Sequence, residues 1–235
     1  MSATPSNIIT KVPLVLTGIR IDAETLRAKR ACSEGFNAFV ERWPDGCDYQ
    51  EALHWLAEIN RADWAQWLLK AMGSAKTETV VEGSLQVGNV FVAGKLVVRR
   101  GIKAGAGIKA GDGIEAGRGI EAGRGIEAGR GIEAGDGIEA GDGIKAGLGI
   151  EAGDGIKAGL GIEAGWGIKA GWGIKAGLGI KAGLGIEAGL GIEAGWISCT
   201  LRIFAGLISW RLPEPSEMEI RAEIRGGAVA HGVVV

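Results

Sequence analysis

Sixteen consecutive six-residue units of the form Gly-Ile-Lys/Glu-Ala-Gly-X run from Gly101 to Trp196 without one insertion. A period this strict predicts a stacked solenoid, in which each unit is too small to fold alone and gains stability only from its neighbours. Each unit offers one Ile and one Ala for burial, and its glycines lose more backbone entropy on ordering than any other residue. Piling coils at about 4.8 Å lets every strand amide pair with the coil above and below, and turns the isoleucines into an internal ladder. In this reading the glycines supply the positive φ angles that the corners need and let the backbones close around a narrow core.

The segment ahead of the array identifies the inward places. Val90 and Val92, Leu96 and Val98, then Ile102 and Ala104 share one register, so the second and fourth places face inward and the third faces water. The third-place charges set the coil length, because opposite charges stack best in adjacent coils. With three units per coil, Lys109, Glu127, Lys145, Glu163 and Lys181 form an alternating column; with two, Glu115, Glu127, Glu139, Glu151 and Glu163 would lie directly over one another. The expectation is a triangular prism of about 18 residues per coil.

The sixth place changes character along the array. It carries Asp112, Arg118, Arg124, Arg130, Asp136 and Asp142 early, then Leu148, Leu160, Trp166, Trp172, Leu178, Leu184, Leu190 and Trp196, with Asp154 the last charge. A place that accepts Arg and Asp faces solvent, so the later coils are expected to wear an apolar collar. Those eight Leu and Trp residues are the candidate protein interface, to be covered by the C-terminal segment or by another chain.

Residues 1–77 follow different rules. Asp22 caps a helix over 23–32, a second follows over 35–41 until Pro44-Asp45-Gly46, and Asp48 caps a third carrying Tyr49, Ala52, Leu53, Leu56 and Ile59 on one face. A fourth starts at Arg61 or Asp63 and carries Trp64, Trp67, Leu68 and Leu69. The aromatic residues are expected in the core of this small helical domain. Beyond Trp196 the register breaks. A strand-like run over 197–212 and an alternating strand from Met218 to Arg225 predict a C-terminal β cap or dimerisation segment over 197–235. The whole is α+β: a helical domain (1–77), a β-solenoid (78–196, with a leading coil over 78–100), and that final segment.

A net charge of −2 gives no long-range attraction to nucleic acid. Three cysteines in no Cys-x-x-Cys pair, with no leader-like or membrane-spanning run, suggest a reducing, cytoplasmic setting. The only histidines, His54 and His231, read as structural or solvated. No phosphate-binding loop, nucleophilic triad, paired carboxylates or metal-ligand spacing stands out, so no catalytic residue, metal or cofactor is assigned.

Ala31-Cys32, Gly35, Phe39, Trp43-Pro-Asp-Gly46, Tyr49, Ala52-Leu53, Leu56, Asn60-Arg61, Asp63-Trp-Ala65 and Trp67-Leu-Leu69 resemble a short helical module placed ahead of repeat regions in phage and bacterial accessory proteins. The array is similar to bactofilins and to Gly-rich hexapeptide-repeat proteins. Hexapeptide acyltransferases, which it also resembles, carry a catalytic His on a loop between coils, and this array has neither. With no chemistry assigned, the residues read as a non-enzymatic interaction protein, a rigid spacer holding the helical head apart from an apolar, oligomerising end, with a homodimer favoured; the resemblance implies, as its most concrete form, a phage-type inhibitor that binds a bacterial host defence complex. A self-assembling scaffold is the alternative. A nucleic-acid mimic is a third reading, suggested by Glu115, Glu133 and Glu151 stacking on one face and opposed by Arg118, Arg124 and Arg130.

Overall fold

A computed structural model describes residues 8–208 and 210–235. Four helices, α1 (Ala23–Ala28), α2 (Ser33–Arg42), α3 (Tyr49–Glu58) and α4 (Ala62–Met72), precede a parallel β-solenoid. A short strand β1 (Ile8–Ile9) and a small antiparallel pair, β2 (Arg20–Ile21) with β3 (Cys47–Asp48), flank the helices. The solenoid opens with β4 (Glu78–Val81), β5 (Ser84–Val87), β6 (Val90–Val92) and β7 (Lys95–Val98). It continues through the array strands β8 (Ile102–Ala104) to β22 (Ile186–Ala188) and ends with β23 (Ile192–Ala205), β24 (Glu219–His231) and β25 (Val233–Val234).

From Ile102 to Ile174 each array strand pairs in parallel with the strand 18 residues on, so three units make a coil; Ile180 and Ile186 pair 17 residues on, with Ile197 and Ile203. Ile114 stands over Ile132 and Ala116 over Ala134, and the array isoleucines are 0–2 % exposed. The expected interior places are therefore the observed ones. Opposite charges meet across coils as predicted: Lys109 lies 2.9 Å from Glu127, and Glu163 is held between Lys145 at 3.2 Å and Lys181 at 3.6 Å. Those two ammonium groups, Lys145 foremost, lower the Glu163 pKa.

The glycines serve close packing of backbone and not positive φ at the corners. Positive φ occurs only at Gly18, Gly46, Gly73, Gly206, Gly227 and Gly232 among the described glycines, all outside the array. Corners turn with negative φ, and what the fifth place demands is space. A Cβ on any fifth-place glycine from Gly123 to Gly189 would lie 1.8–2.3 Å from the carbonyl oxygen of the fifth-place glycine one coil earlier.

The helical part follows its capping signals. The Asp22 carboxylate accepts from Thr25 N–H at 2.8 Å, and Asp48 forms a capping box with Glu51 while also accepting from Thr17 and Gly18. Helix α1 stops at Ala28, earlier than the apolar pattern suggested, because the chain turns left-handed at Arg30 (φ 61°) and Cys32 then caps α2. Ile59 is 42 % exposed rather than on the buried face, since α3 ends at Glu58 and Asn60 turns away (φ 56°). Trp43, Trp55, Trp64 and Trp67 are half-buried, and Phe39, Trp43, Trp55 and Trp64 form an aromatic row with ring separations of 5.2, 5.3 and 6.5 Å.

Head and solenoid are joined at the first coils. Phe91 occupies an outward third place, yet it is fully buried in the helical core. Beside it, Gln50 Nε2 donates to Phe91 O at 2.9 Å and Gln50 Oε1 accepts from Ala93 N at 2.8 Å. The side-chain amide thus stands in for a missing strand on the free edge of β6. On β5 the same edge is covered by β1, and Val12 reaches the solenoid core.

Candidate functional site

Sixth-place residues stack at the three corners, their backbones linked coil to coil. One corner runs Asp142, Leu160, Leu178 and Trp196, the second Arg130, Leu148, Trp166, Leu184 and Leu201, the third Asp154, Trp172 and Leu190. In each, charge gives way to apolar side chains toward the C-terminal half. Leu160 (48 %), Trp166 (57 %), Trp172 (53 %), Leu178 (59 %) and Leu184 (45 %) are exposed, whereas Leu148, Leu190 and Trp196 are half-buried. Trp196 turns off its corner: its ring covers Gly179, whose Cβ would meet it at 2.2 Å, and the Arg225 guanidinium lies 5.3 Å from the ring centre.

The C-terminal segment does not fold back over these ridges. It continues the stack, with Ile186 over Ile203 and Ile192 over Ile220. Between β23 and β24 the chain leaves the coil as an arm whose Trp210 (68 %) and Leu212 (91 %) are exposed, braced by two bonds of 2.6 Å from Arg211 to Glu217. That pair holds the Glu217 pKa down at about 2. Leu201, 56 % exposed, extends the second ridge; the sequence hid it because the six-residue register is lost after Trp196.

The faces between ridges are flat and charged. A trough of about 960 Å³ on one of them runs past Glu133, Glu151 and Lys169 between the second ridge and Phe204. Glu115, Glu133 and Glu151 stack there as expected; Lys95 meets Glu115 at 2.5 Å and Lys169 approaches Glu151 at 3.7 Å.

Other chemical groups are dispersed. Cys32, Cys47 and Cys199 are free thiols; burial pushes Cys47 up to about 12 and raises Cys199. His231 Nδ1 lies 2.6 Å from Ala205 O, while His54 Nε2 is buried without a partner among the described residues. Among the described residues no three His, Cys, Asp or Glu side chains gather in a metal-holding group. Among the described residues no helix is long and apolar enough to cross a membrane.

Residues 16–74, which hold α1 to α4, match the family model of the YdhT N-terminal domain. No curated protein and no solved structure matches the chain.

Proposed function

We propose that this chain is a non-enzymatic protein-binding protein whose solenoid is a rigid spacer between the helical head and a docking region on the apolar ridges. One observation carries the reading: Leu160, Trp166, Trp172, Leu178 and Leu184 remain 45–59 % exposed on successive coils, although the C-terminal segment that could have covered them lies beyond them. Aligned apolar patches of this kind on a solenoid's regular surface mark interaction sites. Trp166 and Trp172 are the anchors, since large aromatic side chains dominate binding energy where they are buried by a partner. A phage-type inhibitor that occupies a bacterial host defence complex is the most concrete form of this role, and it rests on the resemblance of the helical module.

Affinity capture from a bacterial lysate tests it, comparing the native chain with the Trp166→Ser, Trp172→Ser double variant. Both residues face solvent, so the variant keeps its circular dichroism spectrum. The expected result is a defined protein retained by the native chain and depleted at least about tenfold with the variant. Equal recovery with both would remove the ridges as the docking site.

A further inference from the structure

The two ends of the solenoid are finished differently. At the first coil, β1 pairs with β5, Gln50 satisfies Phe91 O and Ala93 N on β6, and Val12 enters the core. In the final coil Ile224, Val229 and Val234 occupy the three interior columns, above Ile197, Ile203 and Ile220. Ile224 and Val229 are only partly covered and Val234 is 50 % exposed, against 0 % for Ile197, Ile203 and Ile220 beneath them. Among the described residues, nothing pairs with the outer edge of Ala222–His231 or of β25. Such an edge templates a further strand.

We propose that a second copy of this chain covers this end, forming a closed tail-to-tail dimer. The argument for that occupant is shape. The coil climbs one strand spacing, about 4.8 Å, per turn, so its last three strands end at three successive heights. A flat partner would meet one strand and leave a gap at the others. A copy turned over about a twofold axis through the middle strand carries the matching step, and the separation is then one strand spacing on all three sides. Val229 pairs antiparallel with its own equivalent, and Ile224 with the second copy's Val234. The interior columns become continuous, and the outward Glu223 and Arg225 fall opposite the second copy's Val235 and Val233. The first coil is covered on β5 and β6 and leaves only β4 without an outer partner among the described residues, too little edge to continue a stack, so the assembly closes at two chains. An isologous contact of this kind buries the same surface on both copies.

Light scattering on the full-length protein reads the mass: twice 24.2 kDa is expected. Val229→Lys with Val234→Lys, placing charges in the open core, should return it to the monomer mass. A crosslink covers the chance that this variant frays. In a Cys32→Ser background, Val229→Cys should give a disulfide-linked dimer under mild oxidation, whereas Leu212→Cys on the arm should not. The Trp166→Ser, Trp172→Ser variant should keep the doubled mass, so failure of the ridge reading leaves this result intact. A monomeric native chain, a mass that grows into polymers, a dimer lost with the ridge variant, or no crosslink through position 229 would each overturn the proposal.

Discussion

The Cα of Gly147 lies directly against the backbone carbonyl of Gly129 in the preceding coil, so that a Cβ on Gly147 would sit 2.0 Å from that oxygen. Two residues on, a Cβ on Gly149 would find its nearest neighbour, Gly167 O, at 3.5 Å, an ordinary contact. The two glycines of each repeat therefore have different reasons to be there. At the fifth place the coils touch backbone to backbone while Gly147 N–H donates to Ala128 O at 3.0 Å.

Gly147→Ala and Gly149→Ala should consequently separate. The first must push coils apart along a hydrogen-bonded stack and is expected to cost about 3 kcal/mol, the upper part of the range for overpacking. The second should be neutral or slightly stabilising, by up to about 1 kcal/mol, because alanine restricts the unfolded chain. Denaturant midpoints of the two variants measure the difference; equal destabilisation would mean that close approach is not what selects glycine at the fifth place.

This distinction marks a limit of what the repeat discloses. Period, coil length and interior columns follow from Ile102, Ala104 and the Lys109–Glu127 column because they depend on alternation and charge, which are written in residue types. The fifth-place glycine is written identically to the first-place one, and only the approach of two backbones tells them apart. The exposed corner residues were legible because Arg118 and Asp136 share their slot with Trp172. Trp196 was not, since its rotation over Gly179 depends on the broken register that follows it. The docking of the head had one signal in the sequence: Phe91, an aromatic residue in a third place that elsewhere in the array holds Lys or Glu.

That docking should be separable from folding of the solenoid. Gln50, 1 % exposed, answers two backbone groups of the first coil that no strand pairs with. Gln50→Ala leaves Phe91 O and Ala93 N buried without partners, at about 1–3 kcal/mol each. Calorimetry of the variant should show the helical part melting at lower temperature while the solenoid transition stays in place. Gln50→Glu keeps an acceptor for Ala93 N–H but loses the donor to Phe91 O and buries a charge against that carbonyl, so it should lower the melting of the head at least as far as Gln50→Ala. A single unshifted transition in both variants would show that the amide is not what couples head to coil.

The head should also weaken on mild acidification, through His54. Burial lowers its pKa from the ordinary 6.5, with Lys11 adding to the effect and Glu58 opposing it, and its Nε2 has no partner. Above about pH 6.5 the ring is neutral in both folded and unfolded chains and contributes no pH dependence. Below it the unfolded chain takes up a proton that the folded chain does not accept until its own, lower pKa, so stability falls with pH across that interval and then levels off. His54→Leu removes both the titration and the unpartnered nitrogen at similar volume, and should match the native chain within about 1 kcal/mol at neutral pH. Melting temperatures at pH 7.5, 6.5 and 6 should decline for the native head and stay level for the variant. A parallel decline in both proteins would assign the acid sensitivity to another group.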